Sequence, residues 1–349
     1  MRTIKLFKPF VSWHAVWNTV KVLRSGQLAE GPKVREFEEK FEQRFNTRNV
    51  LTVNSGTAAL ELAYELAGIG KNDEVITPVL TCTATNLPLI HRGASIVFAD
   101  IDRDLNISIE DVRRKITART KAIVFVHFGG NNRGLQELLD IAREKNIILI
   151  EDAAQAIASN FWGKADFTCL SFQAIKTLTC GDGGGLICKD RTLYEKGKRL
   201  RWFGYDREKK QKLGDTDLIE AGYKYHMNDV SATIGLGNLR VFDRILAHHQ
   251  KLIKEYGKGG IIAHPWFALV LVDNRDSLKK YLFEHGIDSG THHYRNDKYT
   301  IFGGRKPFTV MDELENKYLL LPLHMGVTTK DVRKICELVH NFNEIQKSN

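Results

Sequence analysis

A lysine, an aspartate and a serine-glycine-threonine turn are the groups in this chain whose types and setting could do chemistry. The lysine is Lys176, within SFQAIKTLTCGDGGGL (residues 171–186). Lysine is ordinarily a surface residue. This one has small and apolar neighbours and precedes a loop in which four of the five residues 181–185 are glycine. The glycines can simply make a turn, or they can let the backbone come close to a ligand. The aspartate is Asp152, which with Glu151 closes the apolar run of IEDAAQA (150–156). An acid at a buried strand end needs a cationic or hydrogen-bonding partner; it would serve equally as a helix N-cap. In NSGTAAL (54–60), Ser55, Gly56 and Thr57 precede a helical pattern. They can cap that helix, and its free N–H groups can also hold an anion. A fourth segment, GYKYHMNDVSATIGLGNL (222–239), opens with aromatic and basic residues and continues as a small-residue helix.

The elements that must position these groups follow from the pattern around them. Short β-branched runs at 49–53, 74–78, 95–100, 122–128, 147–152, 167–172 and 184–188 alternate with helical stretches such as 58–67, 109–116 and 135–145. In 58–67, Leu62 and Leu66 share a face with Ala59 and Ala63, and Gly68 supplies a stop. Strand-helix alternation predicts an α/β fold with a mostly parallel central sheet covered on both faces. Ligands then collect at the carboxyl ends of the strands, where the candidate groups lie. Beyond residue 240 come a basic, histidine-containing helix (241–256), a strand (266–272) and helices at 277–285 and 330–343. The expected division is a large α/β domain over 1–240 and a small α+β domain over 241–349.

Composition narrows the function classes. No stretch approaches the roughly 18 apolar residues needed to span a bilayer, and the start of the chain lacks a signal-peptide pattern. A cytoplasmic location is expected. Five widely spaced cysteines with no CxxC pair, and twelve histidines without HxxxH spacing, imply neither a disulfide framework nor a metal site. The net charge is +9, with basic residues clustered at 196–212. That cluster reads as a solvated helical face or as attraction toward an anionic substrate such as a nucleotide diphosphate. No nucleic-acid-binding motif accompanies it. No GxGxxG joins a first strand to a helix, which argues against a Rossmann nucleotide domain.

Taken in order, the motifs resemble those of the DegT/DnrJ/EryC1/StrS sugar aminotransferases, which have the fold-type-I architecture of PLP-dependent transferases. The resemblance covers nearly the whole chain. SGQLAEGPKVREFEEKF (25–41) is similar to the family's N-terminal signature, NSGTAAL to its phosphate loop and IEDAAQA to the strand with the pyridine-pairing aspartate. SFQAIK is similar to its lysine motif, followed by GDGG where GEGG is usual. The resemblance implies pyridoxal 5′-phosphate held as a Schiff base on Lys176, which also shuttles the substrate proton. It places Asp152 on the pyridine nitrogen, Gln155 near the phenolic oxygen, and Gly56, Thr57 and Ser171 on the phosphate. Cys82 stands where an aromatic residue commonly stacks on the ring. Lys224 replaces an asparagine that the neighbouring subunit sends to the phosphate, and Gln173 replaces a frequent histidine. The segments after Ala156 and around 256–264 are shorter than usual. Dehydratase relatives have histidine in place of the lysine, so Lys176 implies a transaminase.

The same resemblance implies a nucleotide-linked keto-sugar substrate, a 4-keto-6-deoxyhexose, with glutamate as amino donor. It also implies a homodimer with shared active sites, serving amino sugar and polysaccharide biosynthesis. His292, His293 and Arg295 would contact sugar hydroxyls or diphosphate, or else belong to a polar loop between domains. The alternatives are a keto-cyclitol or aminoshikimate-type substrate, and a regulator that binds the cofactor without turnover. No helix-turn-helix segment is appended to support the latter.

Overall fold

Strands buried along almost their whole length, rather than on alternate residues, set the architecture. The computed structural model describes residues 3–348; Met1, Arg2 and Asn349, at the outer ends of the two expected domains, lie outside the described residues. The first eight strands are β1 (Val50–Val53), β2 (Glu74–Pro78), β3 (Leu80–Thr81), β4 (Ser95–Ala99), β5 (Thr120–Val126), β6 (Ile148–Asp152), β7 (Phe167–Ser171) and β8 (Gly184–Cys188). All but β3 form one sheet in the order β1-β8-β7-β6-β5-β2-β4. From β4 through β7 the neighbours are parallel, while β8 enters antiparallel between β7 and β1. A sheet covered on both faces has no polar side, which is why these strands read as unbroken apolar runs. The expected α/β fold is present.

One strand ends earlier than its apolar run. Gly129 and Gly130 take φ of 68° and 90°, turning the chain out of the sheet after Val126. Phe128 is apolar because its ring meets that of Phe267, 5.4 Å between centroids.

Two helices at the start of the chain fall outside the expected elements. In α1 (Trp13–Ser25) the Ser12 hydroxyl caps the N-terminus, accepting from the backbone N–H of Ala15 at 3.2 Å. Next, α2 (Pro32–Phe45) begins with proline, whose missing N–H costs nothing there, and buries Val34, Phe37 and Phe41. Asp229 holds the start of α2 by accepting from the N–H groups of Gly31 and Val34 at 2.8 and 3.0 Å. The helix Asp229–Leu239 has small residues because α1 lies directly on it. A Cβ at Gly237 would sit 2.3 Å from the backbone nitrogen of Ala15.

The later strands are β9 (Ile262–Ala263), β10 (Ala268–Leu271), β11 (Tyr294–Arg295) and β12 (Tyr318–Leu321). A small antiparallel sheet, β12-β10-β9, packs with the helices Phe242–Lys258, Arg275–Glu284 and Thr329–Ser348 around Leu252, Leu278, Val332 and Ile335. Ile4 joins this core and bridges to Ile287. Strand β11 pairs instead with β3, Tyr294 opposite Thr81, and so brings the later part of the chain to the carboxyl edge of the main sheet. Among the described residues no helix is long and apolar enough to cross a membrane.

Candidate active site

Three strands deliver their ends to one place. After β1 the chain enters α3 (Gly56–Leu66), capped by Ser55, whose Oγ accepts from the N–H of Ala58 at 3.1 Å. Gly56 must be glycine because Ser171, the last residue of β7, lies against it: an added Cβ would stand 2.9 Å from the Ser171 Cβ. The glycine-dense loop has a similar cause. Gly184 opens β8 opposite both Val53 and Ser171, and a Cβ there would be 2.3 Å from the carbonyl oxygen of Ser55. Close approach explains Gly184, while Gly181, at φ 83° with nothing nearer than 3.7 Å to an added Cβ, serves the turn. The result is a helix N-terminus, with its free N–H groups and positive dipole end, beside a serine hydroxyl: an anion site.

This site is one end of a cavity of about 400 Å³, whose lining includes Gly56, Thr57, Cys82, Asp152, Gln155, Ser171, Lys176, His292 and His293. Nine of the eleven residues expected at the cofactor or substrate are therefore brought together.

Asp152 ends β6 and is 5% exposed. Its Oδ2 accepts from the Thr85 hydroxyl at 2.7 Å, and its Oδ1 from the N–H of Ala154 at 3.2 Å. A turn follows rather than a helix, so Asp152 is not a helix N-cap. Thr85, in the helix α4 (Thr83–His91), also shares a hydrogen bond with the Thr81 hydroxyl at 2.9 Å. Glu151 points to the opposite sheet face, as successive strand residues do. There it is 2.8 Å from His127 Nε2 and accepts from the N–H groups of Gly163, Lys164 and Ala165. Of the acid pair, only Asp152 reaches the cavity.

Lys176 Nζ lies 3.9 Å from the centroid of the Trp266 ring. The Trp266 indole N–H donates to the carbonyl of Ile175 at 3.2 Å, tying the ring to the lysine's own loop. Burial lowers the Lys176 pKa to about 8, against the opposing pull of Asp152 and Cys82. Burial also pushes the Cys82 thiol up, with Asp152 adding to the effect. His292 is lowered to about 4 by burial and by the Lys176 charge. The cavity thus pairs an amine that loses its proton readily with neutral imidazoles and two acidic side chains, Asp152 and Asp182.

Two expected residues are elsewhere. Arg295 is overturned as a substrate contact by its surroundings. It is fully buried, and its Nε and Nη2 donate to the two Asp297 oxygens at 2.7 Å each. Nη2 also donates to the carbonyl of Lys306, and Nη1 to Asp312 and Glu315. No guanidinium N–H is left for a sugar. Lys224 is exposed and outside the cavity lining; its carbonyl accepts from the Asn54 side-chain amide at 3.1 Å, next to the Ser55–Thr57 turn. Thr85 and Trp266 are site residues that the sequence reading missed. The Thr85 contact with Asp152 spans 67 residues, and no local pattern reports such a contact.

The model of the DegT/DnrJ/EryC1/StrS aminotransferase family matches residues 15–259. The chain is 30% identical to the spore coat polysaccharide biosynthesis protein SpsC of Bacillus subtilis (strain 168), over 96% of this chain and 95% of that protein. Among solved structures, it is similar to the sugar aminotransferase CalS13 from Micromonospora echinospora, with TM-score 0.89 and 29% identity over 96% of this chain and 99% of that one. It is also similar to Spr1654 from Streptococcus pneumoniae in its PLP-form, with TM-score 0.87 and 25% identity over 96% and 97% of the two chains.

Proposed function

This chain belongs to the DegT/DnrJ/EryC1/StrS aminotransferase family, and on that premise we propose that it moves an amino group from glutamate to a nucleotide-linked 4-keto-6-deoxyhexose, with Lys176 as the amine that holds the cofactor. The cofactor is pyridoxal 5′-phosphate, as throughout this family. The residues present fit it. The α3 N-terminus and the glycine cradle suit a phosphate, Asp152 suits a ring nitrogen, and Lys176 suits an aldehyde carbon. One observation carries the reading: the Lys176 amine, the Asp152 carboxylate and the anion site line the same cavity.

When bound, the cofactor supplies an electron sink for the pair left behind as a proton leaves the amino-bearing carbon. The protein's part is to hold, orient and move protons. Gly56, Thr57 and Ser171 would hold the phosphate with N–H and hydroxyl donors. Asp152, fixed by Thr85, would keep the ring nitrogen protonated; a neutral side chain could not. Lys176, once displaced by the incoming amine, would take the proton from the substrate carbon and return it one position along. Cys82 would cover the ring, with less area than an aromatic residue offers. Lys224 would reach the phosphate as a cation from a second copy of the chain. His292 remains a candidate for sugar hydroxyls, and the basic residues at 196–212 for drawing in the diphosphate. We place the cofactor domain at 1–240, the small domain at 241–349 and the enzyme in the cytoplasm.

The test is Lys176→Ala. The variant should bind no covalent cofactor, lose the visible absorbance of the wild-type protein, and transfer no amino group. Retained turnover would remove Lys176 from its role. Conversion of the bound cofactor to its amine form by glutamate separates an enzyme from a cofactor-binding regulator. Parallel keto-sugar and keto-cyclitol panels then decide the acceptor.

A further inference from the structure

Gln155 and His293 are adjacent in the cavity wall, and the amide's hydrogen bonds settle the state of the imidazole. The backbone N–H of Gly129 donates to Gln155 Oε1 at 2.6 Å. An N–H requires an acceptor, so that end of the amide is its oxygen. The other end, Nε2, lies 2.8 Å from His293 Nε2. An amide nitrogen offers only hydrogens, so His293 Nε2 must present its lone pair. His293 is therefore neutral, with its proton on Nδ1. Its setting agrees. The side chain is 7% exposed, and burial holds its pKa well below the ordinary histidine value, with His292 and Lys176 pushing the same way. The rings packed against it are His292, 4.4 Å between centroids, and Phe128, at 6.3 Å. The Tyr318 hydroxyl donates to its backbone carbonyl at 2.7 Å.

We propose that His293 is a positioning residue. Together with the Gly129 N–H it clamps Gln155 so that one amide hydrogen goes to the imidazole and the second faces the cavity. Reversing the amide would set Nε2 against the Gly129 N–H, donor against donor, so the clamp has one state. The cavity is thus offered a donor and never a carbonyl. This rests on reading the cavity as the pyridoxal phosphate site, where the phenolic oxygen is the natural acceptor for that hydrogen. His293 thereby moves from substrate contact to cofactor tuning.

Two measurements test this. In cofactor-free protein labelled with ¹⁵N-histidine, the NMR signals that vanish in His293→Gln should show the Nδ1–H tautomer from about pH 6 to 8. An Nε2–H or doubly protonated ring overturns the clamp. In loaded protein, His293→Leu removes the acceptor, while His293→Gln supplies another. The Leu variant should bind the cofactor about tenfold more weakly and raise the pH midpoint of its visible band by about one unit. The Gln variant should return both to within about twofold of wild type. A Leu variant with the wild-type midpoint refutes the proposal, as does a Gln variant with an unchanged melting temperature that fails to restore it. If the wild-type protein took up no cofactor, the reading of the cavity would fall, while the tautomer measurement would still decide the clamp.

Discussion

At the scale of single side chains, the protonation of Lys176 couples reactivity to stability. Its amine loses its proton near pH 8 when folded, against an ordinary value of 10.5. Below pH 8 both the folded and the unfolded chain carry the proton, and the folded chain carries it in a desolvated place, so the penalty is complete. Between pH 8 and 10.5 the folded amine sheds its proton and the penalty shrinks; above that range it is gone. Stability of the cofactor-free protein should therefore rise with pH through this window. Lys176→Met shortens the side chain by one atom and removes the charge. The variant should be more stable than wild type by about 1–2 kcal/mol at pH 7, less than the full shift implies because the side chain keeps partial contact with solvent. The gain should fade toward pH 10. Denaturant titrations of cofactor-free protein at the two pH values check this, and an equal gain at both would show that packing rather than charge is responsible.

At the scale of elements, the ion cluster around Arg295 ties β11 to the segment 297–315, while strand pairing and the Asn296 amide hold β11 beside β3. Removing one partner of a buried pair leaves the other charge stranded, which is costlier than the pair is favourable. Arg295→Met leaves Asp297, fully buried, without its cation. The variant should lose about 3–5 kcal/mol in a denaturant titration, with the acceptor KM of the surviving folded protein little changed. A large rise in KM with full stability would restore Arg295 to the substrate. This residue also shows how far the sequence could be read. Asp297 is its near neighbour, but Asp312 and Glu315 arrive from 17 and 20 residues away, so the pairing is invisible to any local pattern. Strands β2 and β8 were legible to the residue because a strand buried on both faces writes an unbroken apolar run between polar or glycine ends. In α2 the spacing of Val34, Phe37 and Phe41 marks a helical face that the motif resemblance of 25–41 does not itself report. Lys176, Asp152 and the α3 turn stood out because chemistry at strand ends concentrates in short segments. Their supports, Thr85 and Trp266, come from other elements and leave no such mark.

At the scale of the whole molecule, the exposed Lys224 tests whether two chains build each site. The strap that carries it is pinned beside the Ser55–Thr57 turn. Asn54 bonds to the carbonyls of Lys224 and Tyr225, and His226 bridges to Val53. Its side chain nevertheless lies outside the lining of its own chain's cavity. In a two-fold dimer each chain would present the same strap in return, since an isologous interface is reciprocal. Lys224→Ala should then weaken cofactor binding about tenfold, the worth of one charge-assisted contact, while Lys176→Ala is inactive outright. Assayed at a cofactor concentration too low to load most of the Lys224→Ala protein, the two variants unfolded and refolded as an equal mixture should show more activity than the mean of the two alone. Half of the dimers would be hybrids, and each hybrid would hold one site with native Lys176 from one chain and native Lys224 from the other. About a quarter of all sites would be native in both residues. If Lys224 serves its own chain, every site lacks one of the two residues and mixing adds nothing.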